Sequence, residues 1–335
     1  MLRVGYYKLT RAKEVADDWV WIVDHTIQSG NMKCLAVLGV RLSALADRRD
    51  KPLSHEDVEP IALYPVRQSN GDIVYQQLDE CIKKTGVPRQ IVGDRGSDLK
   101  SGIEQFLEKH PQTAYVYDVK HFTASILEDA FKSDLMWVEF TKWASETRGT
   151  LHQTPLSYLE PPNQRAKSRY MNMDVLVDWG TKVLQFMDRL EECVSAEPER
   201  EAITKKLGWI DQFRRDIAEW QGILELVAKT EDFVRNRGLT RDCDKHLRTL
   251  LRVPPNATER TLKIRWQLIE YVLDESLKAQ PGERLLGSSE VIESVFGKFK
   301  YLQGEHARGS LTGYILAIAA MVSTTTQEVV RQALE

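Results

Sequence analysis

Short apolar runs separated by amphipathic stretches make up the first 130 residues. Five runs rich in β-branched and aromatic residues predict strands, over 19–23, 34–40, 61–66, 90–93 and 114–117. A Ser-Gly-Asn turn at 29–31 joins the first two into a hairpin. Apolar residues at helical spacing predict helices over 73–84, 98–109 and 122–131. The resulting order, β-β-β-α-β-α-β-α, predicts a domain built on one mixed sheet.

The pattern changes between residues 131 and 284, where the strand signals disappear. Apolar residues recur there at helical spacing in two stripes, which predicts amphipathic helices with these residues in the core. The stripes are Leu176, Trp179, Val183, Phe186, Leu190 and Val194, and Leu262, Trp266, Ile269, Leu273 and Leu277. We therefore expect an all-helical domain in this segment, followed by two or three more helices up to residue 335.

The composition is that of a soluble globular chain, with 42% apolar and 28% charged residues among 335. The cysteines are far apart in sequence and form no C-x-x-C pair, so we expect neither a disulfide framework nor a zinc ribbon. No secretory leader pattern opens the chain, and its most apolar run, 314–322, is too short to span a bilayer. We expect a cytoplasmic protein that does not enter a membrane.

Positive charge is local rather than global. The net charge is −3, yet Lys245–Arg265 holds six basic residues and only one acid, Glu259. A shorter basic run lies at 165–169. Because phosphate contacts need clustered Lys and Arg, Arg260, Lys263 and Arg265 are candidate DNA contacts. The alternative is a solvated helix face.

Two aspartates follow predicted strands directly, Asp24 after the first and Asp94 after the fourth. Side chains at such strand ends gather in a common cleft, and clustered carboxylates are the ligands that divalent cations need for phosphoryl transfer. Taken singly, each aspartate could equally be a turn or cap residue. A third carboxylate, Glu293, lies on a predicted helix with Lys300 on the same face. Glu290, one turn earlier, is the alternative third ligand.

Four phrases make the chain resemble a known family. They are Val23-Asp24-His-Thr, Val92-Gly-Asp94, Tyr117-Asp118-Val-Lys-His121-Phe122 and Ile292-Glu293-Ser-Val-Phe-Gly-Lys298-Phe-Lys300. Their order and the predicted elements resemble the DDE transposases of bacterial insertion sequences, which have a ribonuclease-H-like catalytic domain. The resemblance implies such a core with a mixed five-stranded sheet, formed by residues 1–130 plus 285–335. A large all-helical insertion domain, residues 131–284, would interrupt it.

The resemblance also implies a site. Asp24, Asp94 and Glu293 would be the catalytic residues and would bind two Mg²⁺ or Mn²⁺ ions. His121 would lie near the scissile phosphate, with a core-edge histidine as the alternative, and Asp118 would orient it. Lys298 and Lys300 would contact phosphates, with plain surface charge as the alternative. Trp266, beside the basic run, could stack on an extruded DNA base instead of lying in the core. His25 would point to the opposite face of the sheet from Asp24.

The implied function is metal-dependent cleavage of phosphodiester bonds at transposon ends followed by strand transfer. The partner would be double-stranded DNA, both transposon ends and target, bound by a homodimer or larger homo-oligomer in the nucleoid of a bacterial cell. Two alternatives remain open. One is a ribonuclease-H-like structure-specific nuclease, and the other is an inactive domesticated transposase that only binds DNA.

Overall fold

The computed structural model describes residues 1–27, 32–45, 51–164, 170, 172–305 and 314–335. The turn predicted at 29–31 and the basic run at 165–169 lie outside these residues. Within the described part of the chain, no helix is both long enough and apolar enough to cross a membrane.

Five strands form one mixed sheet. They are β1 (Trp19–Ile27), β2 (Lys33–Arg41), β3 (Glu59–Val66), β4 (Gln90–Gly93) and β5 (Ala114–Tyr117). Their order across the sheet is β3-β2-β1-β4-β5. β1, β2 and β3 are antiparallel, whereas β4 and β5 run parallel to β1. This is the sheet of a ribonuclease-H-like core, so the predicted fold class is confirmed.

Helices make up most of the remaining described chain. They are α1 (Leu2–Thr10), α2 (Leu42–Leu45), α3 (Gly71–Thr85), α4 (Ser97–Lys109), α5 (Val119–Phe131), α6 (Leu135–Leu151), α7 (Met173–Asp188), α8 (Leu190–Cys193), α9 (Glu197–Leu207), α10 (Arg214–Arg237), α11 (Cys243–Leu250), α12 (Glu259–Ser276), α13 (Glu290–Glu305), α14 (Leu316–Met321) and α15 (Gln327–Leu334). In the described residues, no β-strand follows β5, as the sequence predicted.

β1 is longer than predicted. The apolar run ends before Asp24, but the strand continues to Ile27 because its antiparallel pairing with β2 continues. Asp24 pairs with Ala36, and the last pair is Ile27 with Lys33. Asp24 therefore lies inside β1 and not at its end. The parallel pairing with β4 stops earlier, at Ile22 opposite Val92.

The hydrophobic core lies between the sheet and the helices α3 and α4. Alternate residues of β1, among them Trp21 and Val23, are fully buried against apolar side chains of both helices. Asn70 caps α3 by accepting a hydrogen bond from the backbone N–H of Ile73 at 2.9 Å. Gly86, with φ at 82°, ends the same helix. Because side chains alternate along a strand, Asp24 points to the face opposite Trp21 and Val23.

The chain divides into two compact units. One comprises residues 1–121, 232–245 and 272–335 and contains the whole sheet. The other comprises residues 122–231 and 246–271, and the elements assigned to it are helical. That residues 131–284 fold as an insertion separate from the catalytic core stays a prediction.

An aromatic cluster forms the core of the helical unit. Trp137 and Trp220 are buried and meet edge to face, with ring centroids 5.0 Å apart. Phe140 packs on Trp220 at 5.2 Å and on Phe213 at 5.4 Å. Aromatic pairs of this kind stabilise a fold by about 0.5–1.5 kcal/mol beyond the area that they bury.

The predicted stripe on α12 is wrong in part. Leu262 is 39% exposed and Trp266 is 52% exposed, so neither is a core residue. The buried face follows Ile264 and Leu268 instead. Ile264 and Leu268 each lie two residues beyond an exposed predicted position, which is about 200° around a helix, whereas Ile269 is buried as predicted. The first stripe also divides, since α7 ends at Asp188, before its last two members.

Candidate active site

The register of the sheet places the first two candidate ligands side by side. β1 and β4 are parallel neighbours with Ile22 opposite Val92. Asp24 lies two residues beyond Ile22 in β1, and Asp94 lies two residues beyond Val92, directly after the end of β4. Adjacent strands are about 4.8 Å apart, and the negative charge of Asp94 acts on Asp24. The sequence predicted both residues, and the register is the reason that they come together.

Electrostatics couples three carboxylates at this position. Burial, together with the negative charges of Asp94 and Glu293, raises the pKa of Asp24 to about 7. A hydrogen bond of 2.6 Å from the backbone N–H of His25 and the positive charge of His121 oppose this shift. Asp24 therefore lies where negative charge is concentrated and a cation would relieve repulsion.

Glu293 extends from the first turn of α13 toward two basic groups. His121 Nε2 lies 3.4 Å from Glu293 Oε1, and Lys120 Nζ lies 3.5 Å from Oε2. Burial disfavours protonated His121, but the contact with Glu293 and the charges of Asp118 and Asp94 outweigh it and raise the pKa of His121 to about 9. Burial likewise disfavours ionised Glu293, and His121 with Lys120 overcomes this and lowers its pKa. The pair is thus an imidazolium and a carboxylate at neutral pH.

Asp118 ties together the two helices that carry this pair. Its Oδ1 accepts a hydrogen bond of 2.9 Å from the backbone N–H of His121, which caps the start of α5. Its Oδ2 accepts from the backbone N–H of Ser289 at 2.6 Å and from the Ser289 hydroxyl at 2.9 Å, directly before α13. Burial raises the pKa of Asp118 despite these bonds. Asp118 is therefore a positioning residue for His121 and Glu293, and its cap explains why α5 begins three residues earlier than predicted.

The donor atoms fit a hard divalent cation. Glu293 Oε1 is buried without an aligned hydrogen bond, so a lone pair is available to a metal ion. In the described part of the chain, the donor atoms that come within 4.8 Å of one another belong to Asp118, His121 and Glu293. Asp24, Asp94 and Glu293 are more widely spread than this, as expected of carboxylates that repel one another. We favour the spread carboxylates as ligands, because both oxygens of Asp118 already accept hydrogen bonds.

Glu290, the alternative ligand, has a different partner. Arg235 donates a hydrogen bond of 3.1 Å to its carboxylate. The negative charge of Glu293, by contrast, helps to raise the pKa of Asp24. Their partners therefore distinguish the two glutamates, which are one helical turn apart: Arg235 for Glu290, and His121 with Lys120 for Glu293.

His25 lies on the other face of β1, as its position after Asp24 predicts. Its Nε2 lies 3.3 Å from the Ser69 hydroxyl, and its Nδ1 lies 3.9 Å from the Asp98 carboxylate. Lys33 reaches the same carboxylate at 3.1 Å. His25 thus belongs to a polar cluster at the start of α4 and not to the site around Asp24.

The predicted DNA contacts fall into two groups. Lys263, Lys298 and Lys300 are exposed. The two arginines donate within the helical unit. Arg265 bonds the backbone carbonyl of Leu251 at 2.5 Å, whereas Arg260 bonds Glu219 at 2.6 Å and also pairs with Asp134.

Two residues of the site escaped the sequence interpretation. Lys120 reaches Glu293, and Ser289 holds Asp118. Lys120 is part of the Asp-Val-Lys-His phrase, and a serine directly before a predicted helix is a cap signal. Both signals were present, but neither gives the long-range partner.

The sheet and this acidic cluster define a ribonuclease-H-like protein with carboxylates gathered beside its central strand. No family model matches the chain, and no curated protein matches it. Among solved structures, it is similar to the Drosophila P element transposase strand transfer complex, with 12% identity and a TM-score of 0.41, over 97% of this chain and 81% of that one.

Proposed function

We propose that this chain is a DNA transposase of the DDE type, which cleaves phosphodiester bonds at transposon ends and transfers the strand to target DNA. One arrangement carries the proposal: Asp24 lies in β1, Asp94 directly follows the parallel neighbour β4, and the negative charges of both Asp94 and Glu293 act on buried Asp24. Three convergent carboxylates, one in β1, one directly after β4 and one on α13, support a divalent-metal site for phosphoryl transfer.

Asp24, Asp94 and Glu293 would hold two Mg²⁺ or Mn²⁺ ions. When bound, such ions lower the pKa of an attacking water or DNA 3′-hydroxyl and balance the charge of the leaving oxygen. The three carboxylates would determine where the positive charge of the ions lies. His121 and Lys120 add positive charge beside Glu293, where a DNA phosphate would otherwise be repelled.

DNA would be held by phosphate contacts outside the carboxylate cluster. The exposed Lys263 and Lys300 are the strongest candidates, because Arg260 and Arg265 already donate within the chain, while the exposed Lys298 is a third candidate whose Nζ lies 3.5 Å from His55 Nδ1. With a net charge of −3, the protein needs such local contacts to bind DNA. The proposal extends to a homodimer or larger assembly on DNA, with residues 131–284 as the insertion domain.

The test is cleavage and joining of DNA by the purified chain. Supercoiled plasmid is incubated with Mn²⁺ or Mg²⁺ and a labelled oligonucleotide that has a free 3′-hydroxyl. We expect nicked plasmid and plasmid joined to the label, both lost with a chelator and with Asp24→Asn. Nicking without joining would favour the structure-specific nuclease. DNA binding without either reaction would favour the inactive derivative, and nicking by Asp24→Asn at the wild-type rate would overturn the site.

A further inference from the structure

A half-exposed arginine stands directly beside the carboxylate cluster. Arg95 follows Asp94 in the loop between β4 and α4, and 51% of its side chain is exposed. Its guanidinium lies over the ring of Tyr117, 4.3 Å from the centroid. Tyr117 ends β5 and directly precedes Asp118. This cation–π contact holds the guanidinium at the end of the parallel strands.

The guanidinium N–H groups of Arg95 have no hydrogen-bond acceptor among the described residues. Its nearest acid is Glu275, with 4.0 Å between Arg95 Nη2 and Glu275 Oε1. That distance is beyond hydrogen bonding.

The nearly buried Glu275 already has nearer partners. Lys278 Nζ lies 2.6 Å from Glu275 Oε2, and the backbone N–H of Tyr117 donates to the same oxygen at 3.3 Å. Glu275 thus draws the guanidinium of Arg95 toward the Tyr117 ring without using its donors. The result is an oriented cation with a free hydrogen-bonding fork.

We propose that Arg95 binds a backbone phosphate of the DNA next to the bond that is cleaved. A guanidinium that is already stacked presents its N–H groups in one plane, which matches two oxygens of a phosphate and lowers the entropy lost on binding. The inference rests on the proposed function, because it assigns the ligand of Arg95 as DNA at the same site. It adds a phosphate contact that the four sequence phrases do not contain.

Charge gives a second argument for a phosphate. A DNA strand that approaches Asp24, Asp94 and Glu293 brings further negative charge to a negative cluster. Lys120 and His121 supply positive charge on the side of Glu293. Arg95 adjoins Asp94 in sequence and supplies a cation there, so a strand crossing the cluster would meet positive charge on both sides.

The experiment measures how DNA affinity depends on salt. The parent protein is Asp24→Asn, which should leave DNA uncut. The parent and the double variant Asp24→Asn/Arg95→Gln are each titrated with a short random-sequence duplex from about 50 to 200 mM salt. Loss of one phosphate contact should reduce the slope of log K against log salt by about 0.9. Arg95→Lys keeps the charge, so in the Asp24→Asn parent it should retain most of the slope. In protein with Asp24 intact, Arg95→Lys should lower the nicking rate.

Arg331→Gln is the matched control. Arg331 is exposed in α15 and pairs only with Glu328 among the described residues, so its loss should leave the slope unchanged. If the parent protein binds DNA with a salt dependence that Arg95→Gln does not alter, Arg95 does not contact phosphate and the proposed function stands. If the parent protein binds no DNA, the proposed function fails and the inference with it. A melting curve of each variant checks that it is folded.

Discussion

Ser289 donates both its backbone N–H and its hydroxyl to one oxygen of Asp118, at 2.6 and 2.9 Å. The two residues are distant in sequence, yet this contact joins the start of the helix that carries His121 to the start of the helix that carries Glu293. The buried carboxylate of Asp118 therefore helps to set the distance between His121 and Glu293.

Replacing Asp118 should destabilise the fold. In Asp118→Asn, either the Ser289 or the His121 N–H faces an amide donor, and a buried donor without an acceptor costs about 1–3 kcal/mol. Urea unfolding at neutral pH measures this. Ser289→Ala, which removes only the hydroxyl bond, should cost less, about 1 kcal/mol. An Asp118→Asn protein as stable as the wild type would show that the clamp contributes nothing.

Two glutamates one turn apart on α13 give a matched pair of variants. Glu293 acts on Asp24, whereas Glu290 is paired with Arg235. We expect Glu293→Gln to lower metal-dependent nicking at least 100-fold, on the order of the 3 kcal/mol that one charge-stabilising contact supplies. Glu290→Gln should keep nicking within a few-fold of wild type. The reverse ranking would mean that Glu290 is the third ligand.

The Glu219–Arg260 pair should give the helical unit a defined dependence on pH. Burial disfavours the charged form of Glu219, but the hydrogen bonds from Arg260 and Thr258 overcome this and lower the pKa of Glu219. A carboxyl whose pKa is lower in the folded state stabilises the fold above its ordinary pKa of 4.5. That stabilisation is lost as the pH falls through the lower folded value.

Glu219→Gln removes this titration. The wild type should exceed Glu219→Gln in free energy of unfolding by about 1–3 kcal/mol at pH 6, since the bonds from Arg260 are charge-assisted. The difference should shrink below about pH 4. Urea titrations followed by tryptophan fluorescence at both pH values test this. A difference that does not change with pH would mean that Arg260 does not stabilise the ionised Glu219.

The exposed lysines should account for much of the salt dependence of DNA binding. Replacing Lys263, Lys298 and Lys300 with Gln removes up to three phosphate contacts, so the slope should fall by roughly two to three. The loss of affinity should be similar for unrelated duplexes, because phosphate contacts carry no sequence information.

A control triple variant has the same change of charge. Lys100, Lys182 and Lys229 are exposed, and each pairs with an acid one turn away on its own helix. Gln at these three positions should leave the slope nearly unchanged. Equal slopes for the two triple variants would mean that the first set makes no specific contact.

The sheet and the position of Asp94 could be predicted from sequence because they depend on local patterns. Gln90–Gly93 is short, apolar and bounded by turn residues, and the observed strand has the predicted bounds. Asp24 could be predicted as a ligand but not placed correctly along β1, since the extension to Ile27 depends on pairing with β2. Strand length beyond an apolar run is a property of the partner strand.

Long-range partners could not be predicted. Arg260 belongs to a basic run in the sequence, and only the folded helical unit brings Glu219 and Asp134 to it. The exposure of Trp266 has the same origin, because spacing alone does not tell which face of α12 meets its neighbours. Arg95 carries no signal of its own, since its orientation depends on the ring of Tyr117, which ends the next strand.

The most direct test of the central claim is binding of Mn²⁺ to the purified chain, followed by electron paramagnetic resonance of the free ion. Wild-type protein should bind Mn²⁺, and Asp24→Asn should lose that binding while it keeps its fold, because the substitution removes the charge at the centre of the cluster without changing its shape. Equal Mn²⁺ binding by both proteins would contradict the claim that Asp24, Asp94 and Glu293 form a metal site.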